Sequence, residues 1–345
     1  MTKRIGDIYN ITHRILFSSE EKDAENVLDL YNFYTRFPTE KDNQGEIILQ
    51  NGIALSKENA ADCILDYKRT CCFIRGIYKA IIECQKKFPA TQLNILYAGC
   101  GPFAPLLLPL LSFFDPKQIS ATLIDINRSS IKSIKNIIST LGYNTYISNS
   151  MVANAIHYQY PKTKALHMII TETMFHALTK EPQVAITQNL APQLTEGGVL
   201  LPEEIHVSFG YSFFAKEPFL NQYNDIYFIR NSTNQNIKRE SMGPLFSVTK
   251  NTQRNDIDPY YFESKWYPVP ENYEKTPDIC IYTYVKVFDI YQLRYEDSLI
   301  TNPYCLLSLH NIAHQSNFKI KYSIHKIPDW EISVGCNNTI LKLKL

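Results

Sequence analysis

The sequence lacks any imbalance of charge: 35 Lys and Arg stand against 34 Asp and Glu in 345 residues. A net charge near zero removes the electrostatic footprint expected of a protein that binds nucleic acid or rests on an acidic membrane surface. Long apolar runs are missing as well. The most hydrophobic segment, Leu106 to Phe114, is far shorter than a membrane span and contains Pro109. Met1-Thr2-Lys3-Arg4-Ile5-Gly6-Asp7 has none of the apolar character of a secretory signal. The eight cysteines include no CxxC pair and no Cys/His spacing suited to a metal. No metal is therefore expected, and the cysteines are read as reduced thiols of a cytoplasmic protein. Cys71-Cys72 falls inside a helical pattern, where packing is the expected role. No internal repeat or low-complexity stretch is present.

What is there divides the chain into parts. A length of 345 residues suits two domains. Residues 1–55 are expected to form a helical N-terminal extension, with a helix from Glu20 to about Arg36 and a polar loop from Pro38 to Gly45. Lys57 to Lys87 carries helical spacing in Ala60, Ile64, Phe73, Ile74, Ile77 and Ile81, and ends before Pro89. Strands are then expected at Leu93–Ala98, Ser120–Asp125, Asn144–Ser148, Leu166–Thr171 and Gly198–Leu201. Helices are expected between them at Pro105–Phe114, Ser129–Leu141 and Glu181–Leu194. Such alternation predicts an α/β unit over 56–202, a parallel sheet covered by helices on both faces. After Pro202 the segments Ile205–Phe214, Cys280–Ile290, Asn317–His325 and Thr339–Leu345 are short and β-branched or aromatic. They predict a β-rich second domain over 203–345.

The first expected strand runs into Ala98-Gly99-Cys100-Gly101-Pro102. Gly99 and Gly101 remove side chains where a backbone must approach a ligand closely. The next strand ends on Asp125, a carboxylate placed to take both hydroxyls of a ribose. A pyrophosphate site would favour a third glycine, whereas Ala104 and Pro105 stand there. A nucleoside cofactor without pyrophosphate is the better match. Further on, Glu172 and Glu181 lie nine residues apart in Thr171-Glu172-Thr173-Met174-Phe175-His176-Ala177-Leu178-Thr179-Lys180-Glu181. Two carboxylates on one loop can hold a planar cation from two sides, and a guanidinium is the obvious one. Solvated surface acids remain the plain alternative.

The glycine turn resembles motif I of the class I S-adenosylmethionine (SAM)-dependent methyltransferases. Three further segments, within Asn59 to Pro202, resemble protein arginine methyltransferases. Asp66-Tyr67-Lys68-Arg69-Thr70 looks like the D-x-x-R-T segment whose arginine holds the SAM carboxylate. Thr171 to Glu181 resembles the double-glutamate loop, with Met174 at the family's methionine. Leu194-Thr195-Glu196-Gly197-Gly198-Val199-Leu200-Leu201-Pro202 is similar to the helix end and strand that lead into the family's β-barrel.

The resemblance implies a Rossmann-like, doubly wound SAM-binding domain followed by a barrel-like β domain. It implies catalytic roles for Glu172 and Glu181, and substrate contacts from Met174 and His176. Arg69, Gly99, Gly101 and Asp125 would hold SAM, with an adenine pocket near Ser150-Met151 at the end of the third strand. The acceptor would be a guanidinium on free arginine, a guanidine metabolite or a protein, and a homodimer would be expected. Tyr97 stands where many relatives carry an acid, and Phe175-His176 replaces a glycine and an aromatic. The family's Thr-His-Trp loop is not recognisable; Trp266, His310 and His314 are its only candidates. Nor is a dimerisation arm. Another small-molecule acceptor, or a non-catalytic SAM-binding protein, are the alternatives. Nucleic-acid amino groups would call for an Asn-Pro-Pro-Tyr or catalytic-cysteine motif, which is absent near Thr171.

Overall fold

The computed structural model describes residues 2–38, 45–223, 226–230, 237–253, 261–313, 316–336 and 339–343. Residues 39–44 of the expected polar loop, His314, and the last two residues of the expected Thr339–Leu345 strand lie outside the described residues.

Two helices, α1 (Thr2–Phe17) and α2 (Asp23–Thr35), open the chain. Ile8, Ile11 and Ile15 recur at helical spacing and are buried on one face of α1. Part of the expected helical extension is instead a hairpin of β1 (Ile47–Leu49) and β2 (Gly52–Ala54). Gly52 makes it possible, because a Cβ there would meet the Lys180 carbonyl oxygen at 2.8 Å and the Pro182 nitrogen at 2.9 Å. Next come α3 (Lys57–Asp62), capped by the Ser56 hydroxyl, and α4 (Tyr67–Lys87), capped by Asp66. Arg75 on α4 grips both Asp23 oxygens at 2.6 and 2.8 Å and the Ile15 carbonyl at 2.8 Å. That fork binds the opening helices to α4.

The central sheet holds β3 (Leu93–Ala98), β4 (Ile119–Asp125), β5 (Ile147–Val152), β6 (Met168–Thr171) and β7 (Val199–Leu201). All are parallel, in the order β5-β4-β3-β6-β7, so the order reverses beside β3. In such sheets ligands bind at that reversal, beyond the carboxyl ends of the strands. Helix α5 (Arg128–Leu141) starts on Asn127, which accepts from Ser129 N and Ser130 N, and ends on Gly142 at φ 73. Helix α6 (Gln183–Leu190) precedes β7.

Two expectations are corrected here. The segment Pro105–Phe114 forms no α-helix; only a 3-10 turn spans Leu108–Phe113. Pro102, Pro105 and Pro109 remove backbone donors and crowd a helix, while the leucines around them are buried. The third strand starts at Ile147 rather than Asn144 and runs to Val152, because Tyr143–Tyr146 forms a 3-10 turn after Gly142.

The β-rich part follows β8 (Glu204–Ser212). One antiparallel sheet pairs β8 with Glu240–Thr249 and Asp278–Phe288, the latter also pairing with Tyr291–Leu293 and Tyr304–Ser308. A second is built on Asn317–Ser323 and Asp329–Cys336. The sheets meet through aromatic side chains, Phe209 with Tyr267 and Phe246 with Trp330. The architecture is the expected α/β sheet unit with helices before it and a β-rich region after it.

Candidate active site

A cavity of about 300 Å³ opens at the carboxyl ends of β3, β4 and β6, at the small end of ordinary ligand sites. The glycine turn, Asp125, Arg69, Met174 and both glutamates line it. Residues from four regions of the sequence therefore converge on one space. Gly99 and Gly101 take φ values of +69 and +60. A Cβ on Gly99 would lie 2.4 Å from Thr173 Cγ2, so this glycine also lets the double-glutamate loop approach. The Gly101 N–H donates to Asp125 Oδ2 and the Asn127 N–H to Oδ1, both at 2.8 Å. Those bonds fix the carboxylate at the cavity edge, while burial raises its pKa. Because no α-helix opens directly after Gly101, the turn presents no helix N-terminus to a pyrophosphate.

Arg69 is buried on the first turn of α4 and pairs directly with Glu172. It also donates to the Cys63 carbonyl at 2.9 Å. Its Nε is buried without a partner, so the guanidinium retains an unused donor. Burial raises Glu172, and the Arg69 charge beside it opposes that rise. Glu181 makes no such ion pair. Burial, reinforced by the Glu172 charge and only partly offset by Arg69 and Lys180, pushes it to about 8. Both acids are thus raised, and of the two Glu172 has the cation in direct contact.

The loop carrying these acids leaves β6 and returns at α6. Ala177, Leu178 and Lys180 take left-handed φ values of 54, 57 and 65, costly for non-glycine residues unless their surroundings impose them. The β-rich part does so. Trp330 Nε1 donates to the Ala177 carbonyl and the Tyr322 hydroxyl to the Leu178 carbonyl, both at 2.7 Å. Lys180 N donates to the Pro328 carbonyl, and its own carbonyl accepts from Ile53 N in β2, each at 2.8 Å.

Some expected site residues are elsewhere. Ser150 and Met151 do not line the cavity; Ile126, Ala153, Asn154 and Ala155 do. The longer β5 is the reason, since it keeps residues 150 and 151 in pairing with Leu123 and Ile124. His176 is also outside the lining. It packs between Phe175, Phe219 and Tyr304 at 4.1, 6.3 and 5.7 Å, and burial lowers its pKa to about 4. Trp266 lies against Lys319 and His310 against Tyr273, neither at the cavity.

The β-rich part reaches the cleft instead through Leu299 and Ile300. Asp66 holds that loop, accepting from Ser298 Oγ at 2.7 Å and Leu299 N at 2.8 Å. Sequence reasoning missed this wall and the hairpin residues Leu49, Ile53 and Ala54; Tyr97, noted where relatives carry an acid, does line the cavity. Asp66 three residues before Arg69 was visible, but its partner lies more than two hundred residues away.

No protein-family model and no curated protein matches the sequence. Among solved structures, the chain is similar to the Trypanosoma brucei PRMT1 enzyme-prozyme heterotetrameric complex with AdoHcy, at 12% identity and a TM-score of 0.52. That match covers 84% of this chain and 96% of the other. It is also similar to Arabidopsis thaliana protein arginine methyltransferase 10 in an open conformation, at 9% identity and a TM-score of 0.50, covering 82% of this chain and 95% of that one. The fold is the fold of those structures.

Proposed function

We propose that this chain is a SAM-dependent N-methyltransferase acting on a guanidinium group. The observation that carries the reading is the convergence of Arg69, Asp125, Glu172 and Glu181 on one cavity beside the Gly99–Gly101 turn. The residues present fit SAM. The unused Nε of buried Arg69 suits a carboxylate, Asp125 at the end of β4 suits a ribose, and Ile126 with Asn154 offers an apolar wall and an amide to adenine. Bound there, SAM supplies an electrophilic methyl group. The Trypanosoma brucei neighbour, solved with AdoHcy, supports the same cofactor.

Glu172 and Glu181 then face the acceptor. Together they would pair with a guanidinium, fix its plane and draw positive charge away from the nitrogen that attacks. Once a bound guanidinium has displaced the proton that Glu181 holds below about 8, its carboxylate oxygen can receive the proton that the methylated nitrogen sheds. Leu299 and Ile300 keep water from the pair. That apolar wall is also what favours the second reading, another small-molecule acceptor without a guanidinium. Homodimer formation and a cytoplasmic location belong to the proposal on the resemblance alone.

The test is methyl transfer from labelled SAM to L-arginine, an arginine-rich peptide and a guanidine-free amine. Label on a guanidine compound but not the amine is expected. Transfer to the amine alone would transfer support to the second reading.

A further inference from the structure

Lys180 is a lysine in a left-handed backbone, where glycine or asparagine would cost less. Its main chain is pinned on both sides, to Pro328 and to Ile53, so the root of the side chain is fixed. Its Nζ lies 4.7 Å from the centre of the Phe175 ring, and Phe175 lines the cavity. Its charge also reaches inward, lowering both Glu181 and His176. Other cations around the cleft are matched: Arg69 with Glu172, Lys68 with Asp297 at 2.8 Å, and Arg239 with Glu217 at 2.6 Å. Lys180 has no acidic partner in contact among the described residues.

Phe175 lines the cavity with both acids, so a guanidinium held by Glu172 and Glu181 can extend its aliphatic arm past that ring. An arm on that course brings its far end toward the ammonium of Lys180, which stands on the Phe175 ring and outside the lining itself. We propose that Lys180 is the counter-ion for a carboxylate on the substrate, so that the site selects a free amino-acid-like guanidine over an arginine within a peptide. In a peptide that carboxyl is consumed as an amide, and neighbouring arginines would be repelled by Lys180. The inference rests on the guanidinium reading.

Calorimetry on the S-adenosylhomocysteine-loaded protein tests it, with L-arginine, agmatine (the same chain without the carboxylate) and an arginine-rich peptide. Wild type is expected to bind L-arginine about fivefold more tightly than agmatine, the scale of one exposed charge pair. The ratio should fall to near one in Lys180→Met and survive in Lys180→Arg. Equal wild-type affinity for L-arginine and agmatine, tighter binding of the peptide, or an unchanged ratio in Lys180→Met would overturn the role of Lys180 alone. Binding of none of the three would remove the guanidinium reading and this inference with it.

Discussion

Glu172 and Glu181 share one cavity, and burial raises both, but Glu172 is the one paired directly with Arg69. The guanidinium keeps its charge at any working pH and opposes the rise in both acids, while Glu181 also feels the Glu172 charge and reaches about 8. The sign follows directly. A carboxyl held at about 8 when folded, against roughly 4.3 when unfolded, binds a proton in the folded state that the unfolded chain has lost. Its contribution to stability is present below the unfolded value and is lost as pH rises through about 8. Glu181→Gln should therefore flatten the fall in melting temperature between pH 5 and 9 and raise it at the alkaline end. Thermal melts across that range check this; a fall as steep as in wild type would show that Glu181 is not held high. His176 contrasts with it: kept at about 4, it is neutral at physiological pH and gives no imidazolium to the site.

The loop between β6 and α6 illustrates what an element can hide from its own sequence. Its left-handed residues, Ala177, Leu178 and Lys180, have no glycine to announce them. They are held by Trp330, Tyr322, Pro328 and Ile53, partners that only the folded chain brings near. Tyr322→Phe would leave the Leu178 carbonyl buried without its donor, at a cost of about 1–3 kcal/mol. We expect a lower melting temperature and reduced turnover with SAM affinity retained, checked by melts and equilibrium binding; equal loss of both would place the defect in the whole fold. Local signals explain what was legible. β3 is bounded by polar Gln92 and by Gly99, and α5 by Asn127 and Gly142, and both were visible within one residue. The glycine turn, Asp125 and the acid pair were visible by their spacing, and Arg69 only through the resemblance of Asp66–Thr70 to a family segment. The start of β5 was not, since Tyr143–Tyr146 is extended-looking sequence wound into a turn after Gly142. The Leu299–Ile300 wall was not, since its tie to Asp66 joins residues more than two hundred positions apart.

At the scale of the molecule, the sheet unit and the β-rich part build the site jointly. Gly76 of α4 lets the helix lie so close to the Asp278–Phe288 strand that a Cβ there would be 2.6 Å from Val287 Cγ1. Asp66 ties the same helix to Ser298 and Leu299, and the acid-bearing loop is pinned to Tyr322 and Trp330. On the proposed reading, these ties hold the cofactor side and the acceptor side in one register, as end-to-end transfer requires. The central claim is that the two acids act on the acceptor and not on the cofactor. Its most direct test compares SAM binding with guanidine methylation in Glu172→Gln and Glu181→Gln. The account predicts turnover lower by about a hundredfold or more in each, with Glu181→Gln binding SAM as wild type does and Glu172→Gln binding it no more weakly, because Arg69 is released from its partner. Wild-type turnover in either variant, or loss of SAM binding in Glu181→Gln, would contradict it.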